Sequence, residues 1–275
     1  MATRRLHRNS GLLNLYDFSP GTAPLLVSMP HCGTYIPPRL AADMTPEALS
    51  VPDTDFHLPR LYDFVRELGA SVLAATHSRY VIDLNRPPDG AVLYPGASNT
   101  ELCPTTRFDF APVYREGRAP DMDGIRARVA DYWEPYHARL AGELERIHAL
   151  HDYALLFDAH SIVSVCPRFF EGRLTDINLG TADGASCAPA LGAAVLEAAQ
   201  EYPGYTSILN GRFKGGFITR RYGKPDHGVH AVQLELAERT YMDEAPPFAY
   251  DETLAESVRP VLRSVLEAML SWKPR

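Results

Sequence analysis

The feature that most constrains the fold is a short, wholly apolar run that ends in polar residues, "YALLFDAHSI" at positions 153–162. Such a run suits a strand buried on both faces, as in a parallel sheet, better than a half-exposed strand. Asp158 and His160 then lie where the strand is expected to leave the sheet. Because ligands of open α/β sheets bind at the carboxyl ends of the strands, this ending predicts a functional site there.

Strand-like and helix-like patterns alternate along most of the chain. This alternation predicts an α/β fold with a mixed, largely parallel central sheet flanked by helices. The long helical pattern from about residue 124 to 150 contains Pro135, which predicts a kink or a break. We expect a single domain over residues 1–275, with a loop-rich insertion at about 87–120. The further strand candidates are "APLLVSM", "SVLAAT", "RYVIDL", "YTSILN" and "VHAVQLELA".

Charge and composition argue against several classes of function. The formal net charge of -7 speaks against general affinity for nucleic acid or for an anionic membrane, since both need an excess of positive surface. No apolar run is long enough to span a membrane, and the first residues lack the apolar stretch of a secretory signal. We therefore expect a soluble, cytoplasmic protein. The 4 cysteines form no CxxC pair, which argues against a disulfide scaffold or a zinc ribbon.

Polar residues that follow or interrupt apolar strands point to a metal site. His31 follows one such strand and His160 follows another. Catalytic zinc commonly takes two histidines and one carboxylate and keeps a fourth position open for water. We favour Asp55 as the carboxylate ligand, with Asp53 as the alternative, although either could instead cap the helix predicted to follow. The same ligand set also suits iron, cobalt or manganese, so Zn²⁺ is the first but not the sole choice of divalent metal.

Glu235 is expected to act on a water molecule at this site. In "HAVQLELA" the apolar residues Val232, Leu234 and Leu236 alternate with Gln233 and Glu235, so one face of the strand carries a carboxylate. A buried carboxylate is costly unless it is paired, protonated or used. Near a zinc-bound water the carboxylate is a general base. A structural ion pair with an arginine is the alternative interpretation.

Basic residues fall into two groups that could hold an anionic ligand. Arginine binds carboxylates bidentately, so these groups predict a small dianionic substrate as the partner. The sequence does not indicate which member of the second group contacts substrate, nor the oligomeric state. Histidines of the long helix, among them His137, are expected to be surface or packing residues. The first group is Arg79 and Arg86, together with the neighbouring amide of Asn85, and the second is Arg212, Lys214, Arg220 and Arg221.

Several motifs together resemble a known family. They are "SMPHCGTYIP", "DTDFHLPRLYDF", "SRYVIDLNRP", "DAHSI", "NGRFKGGFITRRYG" and "HAVQLELAERTYM", and they span the chain from about residue 24 to 250. They resemble the motifs of N-formylglutamate amidohydrolases, which are similar in turn to zinc carboxypeptidases and aspartoacylase. The resemblance implies a zinc-carboxypeptidase-like (phosphorylase/hydrolase-like) core. It also implies zinc-dependent hydrolysis of N-formyl-L-glutamate to formate and L-glutamate, the last step of a histidine degradation route.

The resemblance also implies roles for single residues. The wider group carries HxxE as its first metal motif, whereas Thr34 stands three residues after His31, so the carboxylate ligand must come from elsewhere. This departure is why Asp53 and Asp55 matter. The implied roles are His31 and His160 as metal ligands, Glu235 as the base, and Arg79, Asn85 and Arg86 as the oxyanion and carboxylate binders. We further expect Arg79 to stabilise the oxyanion and Arg212 and Arg220 to join Arg86 in binding the substrate carboxylates.

Three other functions remain open from the sequence. A metal-dependent amidohydrolase could act on another N-acyl amino acid or on a dicarboxylate amide, since pocket shape decides specificity. A cysteine amidase could use Cys32, next to His31, as its nucleophile. A non-catalytic protein could keep the metal and the arginines to bind a dicarboxylate, but such a protein has no need of Glu235.

Overall fold

The computed structural model describes residues 14–93, 96 and 98–274, and it is built around one seven-stranded sheet. The strand order is β1-β3-β2-β4-β7-β5-β6. β1 runs antiparallel to β3 and β5 antiparallel to β7, while the other neighbours are parallel. The predicted α/β fold with a mixed, largely parallel sheet is therefore confirmed. The strands are β1 (Tyr16–Ser19), β2 (Leu25–Met29), β3 (Ser71–Ala75), β4 (Ala154–Ile162), β5 (Ile177–Gly180), β6 (Ser207–Leu209) and β7 (Val229–Ala237).

Helices cover both faces of the sheet. The long pattern predicted near 124–150 is helical, and its irregularity is a π-helical turn, Val129–Trp133, directly before the helix that contains Pro135. Proline lacks the backbone N–H that an α-helical bond at that point would need, which is compatible with a wider turn there. The α-helices are α1 (Pro38–Ala41), α2 (Leu58–Leu61), α3 (Met122–Arg128), α4 (Glu134–His151), α5 (Pro189–Gln200), α6 (Phe217–Tyr222) and α7 (Glu252–Ser271).

Alternate residues of the central strands face two separate cores. Leu155 and Phe157 of β4 pack with α2, α5 and α7, whereas Leu156 packs with α4 and α6. On β7 the predicted alternation holds, because the apolar residues join the first core and leave Glu235 on the opposite face. His160, two residues from Asp158 on β4, points to that same face. The polar groups therefore collect on the side of the sheet covered by α4 and α6.

Two segments differ from the sequence prediction. β4 extends to Ile162, so Asp158 and His160 lie within the strand and not beyond its end, because β7 pairs with it through Ala237. The predicted strand "RYVIDL" is wrong: residues 79–84 form turns. Its apolar residues are buried, but its polar groups bond elsewhere, as when Asp83 N donates to Leu102 O, so no ladder forms.

Smaller departures concern short elements and loops. The helix predicted to follow Asp53 and Asp55 is reduced to α2 and a 3-10 turn, Asp63–Arg66. The four-residue strands β1 and β5 were not predicted, because so few residues show no clear periodicity. The described residues between β3 and α3 form turns, bends and isolated bridges. Within the described residues no helix is both long and apolar enough to cross a membrane.

Candidate active site

The register of the two longest strands brings a histidine and a glutamate together. β4 and β7 are parallel, with His160 opposite Glu235 and Asp158 opposite Gln233. Side chains that face each other across a strand pair project from the same side of the sheet. Four polar side chains therefore form a two-by-two block on the face covered by α4 and α6.

His31, Asp55 and His160 can hold a metal ion. Each offers a ligand atom, and the three atoms lie within 4.8 Å of one another. Asp55 Oδ2 is 3.0 Å from Nδ1 of His160 and 3.8 Å from Nδ1 of His31. All three side chains are buried. Two imidazoles and one carboxylate are a common ligand set of catalytic zinc, so the donor set fits a divalent metal.

Carboxylates lie at the outer nitrogens of both imidazoles. Nε2 of His31 is 2.7 Å from Asp83 Oδ1, and Nε2 of His160 is 3.2 Å from Asp158 Oδ2. In metal sites a ligating histidine commonly donates its other N–H to a carboxylate, which fixes the ring and raises its basicity. Both outer carboxylates are buried. The arrangement is therefore that of two supported metal-binding histidines, with their Nδ1 atoms facing Asp55.

Burial and nearby charges together set the pKa values of these groups. Burial lowers the pKa of His31, and the Arg79 charge lowers it further. Burial also acts to lower the pKa of His160, but the charges of Asp158 and Asp55 and their hydrogen bonds outweigh burial and raise it well above its usual range. Burial acts to raise the pKa of Asp83, yet His31 and Arg79 hold it well below the ordinary value. Burial and neighbouring charges therefore shift the pKa of all three groups away from their ordinary values.

The structure separates the two aspartates that the sequence left as alternatives. Asp55 faces the histidines, and its Oδ2 accepts a hydrogen bond from Ser161 N at 3.2 Å. Asp53 faces away, and its Oδ2 accepts from Phe108 N at 2.9 Å. Neither caps α2, whose N-cap is His57. The geometry therefore brings Asp55, not Asp53, together with His31 and His160.

Glu235 lies beside His31 and His160 in the cleft that these side chains line. It is 8% exposed, and its contact within the described residues is a long hydrogen bond from Gln233 Nε2 at 3.4 Å. No arginine forms a salt bridge with it in that part of the chain, so the ion-pair alternative finds no support. Burial raises the pKa of Glu235 to about 8. A carboxylate that titrates close to neutral pH is suited to accept and return a proton.

Three of the predicted arginines line the cleft. Arg79 is buried, and its Nη2 donates to Asp83 Oδ2 at 2.7 Å. Arg86 uses three donors, two on Thr100 and one on Asn85 O, so two of the five guanidinium N–H groups have no partner among the described residues. Arg212 donates through Nε to a backbone oxygen of the neighbouring loop, and no carboxylate of the described residues pairs with it. Arg212 is therefore the member of the second group that lines the cleft, and it keeps donors for a ligand within the described part of the chain.

The other cations of the second group lie outside the cleft lining. Arg220 donates through Nε to Gly215 O. Lys214 pairs with Asp183 at 3.0 Å. Arg221 is exposed and lines a separate groove with Glu145 and His148. Substrate contact by Arg220 therefore stays a prediction from the sequence.

Asn85 is held at the junction of the site and α6. Its Oδ1 accepts from Ile218 N at 2.8 Å, and its Nδ2 lies 2.9 Å from Nε2 of His160. Its backbone N donates to Asp83 Oδ1. Gly216 packs directly on this amide: a Cβ there would lie 2.3 Å from Asn85 Nδ2. Asn85 is therefore packed between α6 and His160 and keeps little freedom.

Aromatic side chains that sequence reasoning did not assign to the site form one wall of the cleft. Phe108, Phe169 and Phe213 line it together with the arginines. The rings of Phe108 and Phe169 meet edge to face with centroids 4.9 Å apart, and Arg79 lies over Phe108. They come from irregular segments without periodicity. The one signal in the sequence is the position of Phe213 between the cations Arg212 and Lys214. The cleft between these side chains is small, about 70 Å³, and reaches about 570 Å³ when the open solvent at its mouth is included.

Cys32 is not arranged as a nucleophile. Its thiol donates to Met29 O and Ala75 O at 3.2 and 3.3 Å. Burial raises its pKa far above the ordinary value, so the reactive thiolate is disfavoured. It is also absent from the residues that line the cleft in the described part of the chain. The cysteine-amidase alternative therefore has no structural support.

Comparison with known proteins gives a consistent result. The sequence profile of N-formylglutamate amidohydrolase matches residues 23–242. An N-formylglutamate deformylase of Pseudomonas aeruginosa is 55% identical over 256 residues, covering 93% of this chain and 96% of that protein. One from Pseudomonas putida is 51% identical over the same coverage. The crystal structure of N-formylglutamate amidohydrolase from Ralstonia eutropha JMP134 superposes with a TM-score of 0.79 at 25% identity, covering 93% of this chain and 97% of that one.

Proposed function

The chain belongs to the N-formylglutamate amidohydrolase family, and we propose that its cleft hydrolyses the formyl amide of N-formyl-L-glutamate to formate and L-glutamate. The observation that carries the proposal is the facing pair His160 and Glu235 on β4 and β7. It sets a candidate base beside a candidate metal ligand, which a binding protein does not need. The activity agrees with the names of two relatives at more than half identity.

We assign the metal to His31, Asp55 and His160. A divalent ion, of which zinc suits this ligand set best, would supply a Lewis acid that lowers the pKa of water and polarises the formyl carbonyl. Asp83 and Asp158 would orient the two imidazoles through their outer nitrogens. The assignment rests on buried donors that already converge and on their carboxylate supports.

Glu235 moves the proton in this proposal. Its carboxylate accepts a proton from the attacking water as the water oxygen bonds to the formyl carbon. When the carbon–nitrogen bond breaks, Glu235 returns the proton to the departing nitrogen, which becomes the amino group of glutamate. Burial raises its pKa to about 8, and the charge of a divalent ion beside it would favour the ionised carboxylate that accepts the proton.

Arginines and aromatic rings complete the site. Arg79 is positioned to donate to the oxygen that becomes negative, since its guanidinium lies 3.9 Å from Asp55 and faces the cleft. Arg86 and Arg212 would each hold one carboxylate of the dianionic substrate with the donors left to them. The aromatic wall would exclude water and strengthen these interactions. Arg220 is kept as a second candidate for carboxylate contact.

The direct test is release of formate and glutamate from N-formyl-L-glutamate by purified protein, measured before chelation, after chelation and after zinc is added back. We expect release that the chelator abolishes and zinc restores. N-acetyl-L-glutamate is the matched substrate for the alternative of another N-acyl amino acid. Release from the acetyl compound alone would replace the proposed substrate. The predicted cytoplasmic location remains a prediction.

A further inference from the structure

We propose that Trp133 and His137 are positioning residues that hold the backbone of Leu84–Arg86 and so aim Asn85 and Arg86 into the cleft. Neither ring is among the described residues that line the cleft, so both act through this segment. The inference rests on the proposed function, in which Arg86 holds a substrate carboxylate. It gives a role to His137, which the sequence predicted to be a surface or packing residue.

The two rings bind the backbone on either side of Asn85. Nε2 of His137 lies 2.9 Å from Leu84 O, and Trp133 Nε1 donates to Arg86 O at 3.0 Å. The rings are stacked, with centroids 3.6 Å apart and planes 20° from parallel. Two adjacent donors therefore fix two carbonyls that bracket one residue.

The hydrogen bonds define the state of the imidazole. A carbonyl oxygen can only accept, so Nε2 of His137 carries the hydrogen and Nδ1 accepts from Tyr222 OH at 2.9 Å. His137 is 4% exposed, and burial lowers its pKa to about 4, which agrees with a neutral ring. A third ring, that of Tyr222, stacks on His137 with planes 13° apart. The donor is thus oriented by its own partners.

The helix is built so that both donors reach the same segment. The π-helical turn Val129–Trp133 places Glu134 N on Val129 O, five residues back, and Trp133 ends that turn. Trp133 and His137 are four residues apart and so share a helix face. Wide turns of this kind recur at functional sites because they change the direction of the side chains that follow. Packing alone needs only apolar rings, whereas both rings here donate to carbonyls.

The experiment compares three variants with the unaltered, metal-loaded protein. His137→Leu fills the space without a donor, His137→Gln keeps an amide donor near the position of Nε2, and Trp133→Phe keeps a stacked ring without its N–H. We expect His137→Leu and Trp133→Phe to raise the KM for N-formyl-L-glutamate by roughly 2- to 12-fold, as loss of one hydrogen bond predicts. The kcat and the metal content should stay within about twofold, and His137→Gln should restore the KM.

Each other outcome decides the matter. Unchanged KM in both donorless variants, or a KM that His137→Gln fails to restore, overturns the inference and leaves the function intact. If His137→Leu does not fold, Trp133→Phe carries the decision on its own. If the unaltered protein does not hydrolyse N-formyl-L-glutamate, the proposed function fails first, and this result is distinguishable because it needs no variant.

Discussion

The two cationic segments of the cleft, residues 79–86 and 212–221, look alike in the sequence but differ in the structure. In the first, Arg79 is buried and bonded to Asp83, which also contacts His31 of the candidate metal site. In the second, Arg212 is only half-buried and bonds to one backbone oxygen. In the proposed function Arg79 belongs to the catalytic centre, while Arg212 lies at the rim of the cleft.

This difference shows that partners, not the number of cations, decide what an arginine can do. A guanidinium surrounded by carboxylates balances their charge and keeps the cluster compact. A guanidinium with unused N–H groups at the mouth of a cleft can receive a carboxylate from solution. We therefore expect substitution of Arg79 to change turnover and stability, and substitution of Arg212 to change substrate affinity.

Arg79→Ala should have the largest effect on turnover in the comparison. Loss of an oxyanion donor should lower kcat by about 10²- to 10³-fold. It should also lower the free energy of unfolding by about 3 kcal/mol, because Asp83 stays buried with one charged partner fewer. Urea unfolding and steady-state kinetics, with the zinc content as a control, measure both. A variant with normal kcat would remove Arg79 from the centre.

Arg212→Ala should act on affinity. Loss of a charge-assisted hydrogen bond to a substrate carboxylate should raise KM by roughly 10- to 150-fold with little change in kcat. Arg221→Ala is the matched control, since that residue belongs to the same segment but lines a different groove. We expect it to match the unaltered protein. Equal increases in KM for the two substitutions would mean that Arg212 attracts the substrate through long-range charge and not through a direct contact.

Acid should lower the stability of the protein through His137, whose ring binds Leu84 O in the first segment. Burial lowers the pKa of His137 to about 4, Asp158 opposes this shift, and Arg221 adds to it. Because the unfolded chain takes up a proton near pH 6.5 and the folded one does not, the free energy of unfolding falls as pH drops from about 6.5 towards 4. This group should contribute about 1 to 2 kcal/mol of that loss by pH 5.

The measurement is urea unfolding across this pH range for the unaltered protein and His137→Gln. Glutamine does not titrate, so the variant should lose less stability on acidification, although other groups titrate in both proteins. Parallel stability curves for the two proteins would contradict a neutral, buried His137.

The sequence was most informative where a regular pattern meets a polar residue. The apolar strands located His31, His160 and Glu235, because alternation along a strand fixes which side chains share a face. It could not separate Asp53 from Asp55, since both precede α2 in one loop and only the path of that loop decides which carboxylate faces the histidines.

The sequence also could not predict contacts between a side chain and a backbone carbonyl. Trp133 and His137 bind carbonyl oxygens, which every residue carries, so no residue type in the partner segment signals the contact. The strand predicted at residues 79–84 failed because buried apolar residues are needed equally by a strand and by a packed turn. Tertiary hydrogen bonds of Asp83 decide between the two there.

The central claim is that Glu235 transfers the proton beside a metal held by other residues. The most direct test is Glu235→Gln, with bound zinc and kcat for N-formyl-L-glutamate measured on the same sample. We predict unchanged zinc content and a kcat lowered by about 10²-fold or more, the usual loss when a general base is removed. A zinc-loaded variant that turns over at nearly the unaltered rate would contradict the account.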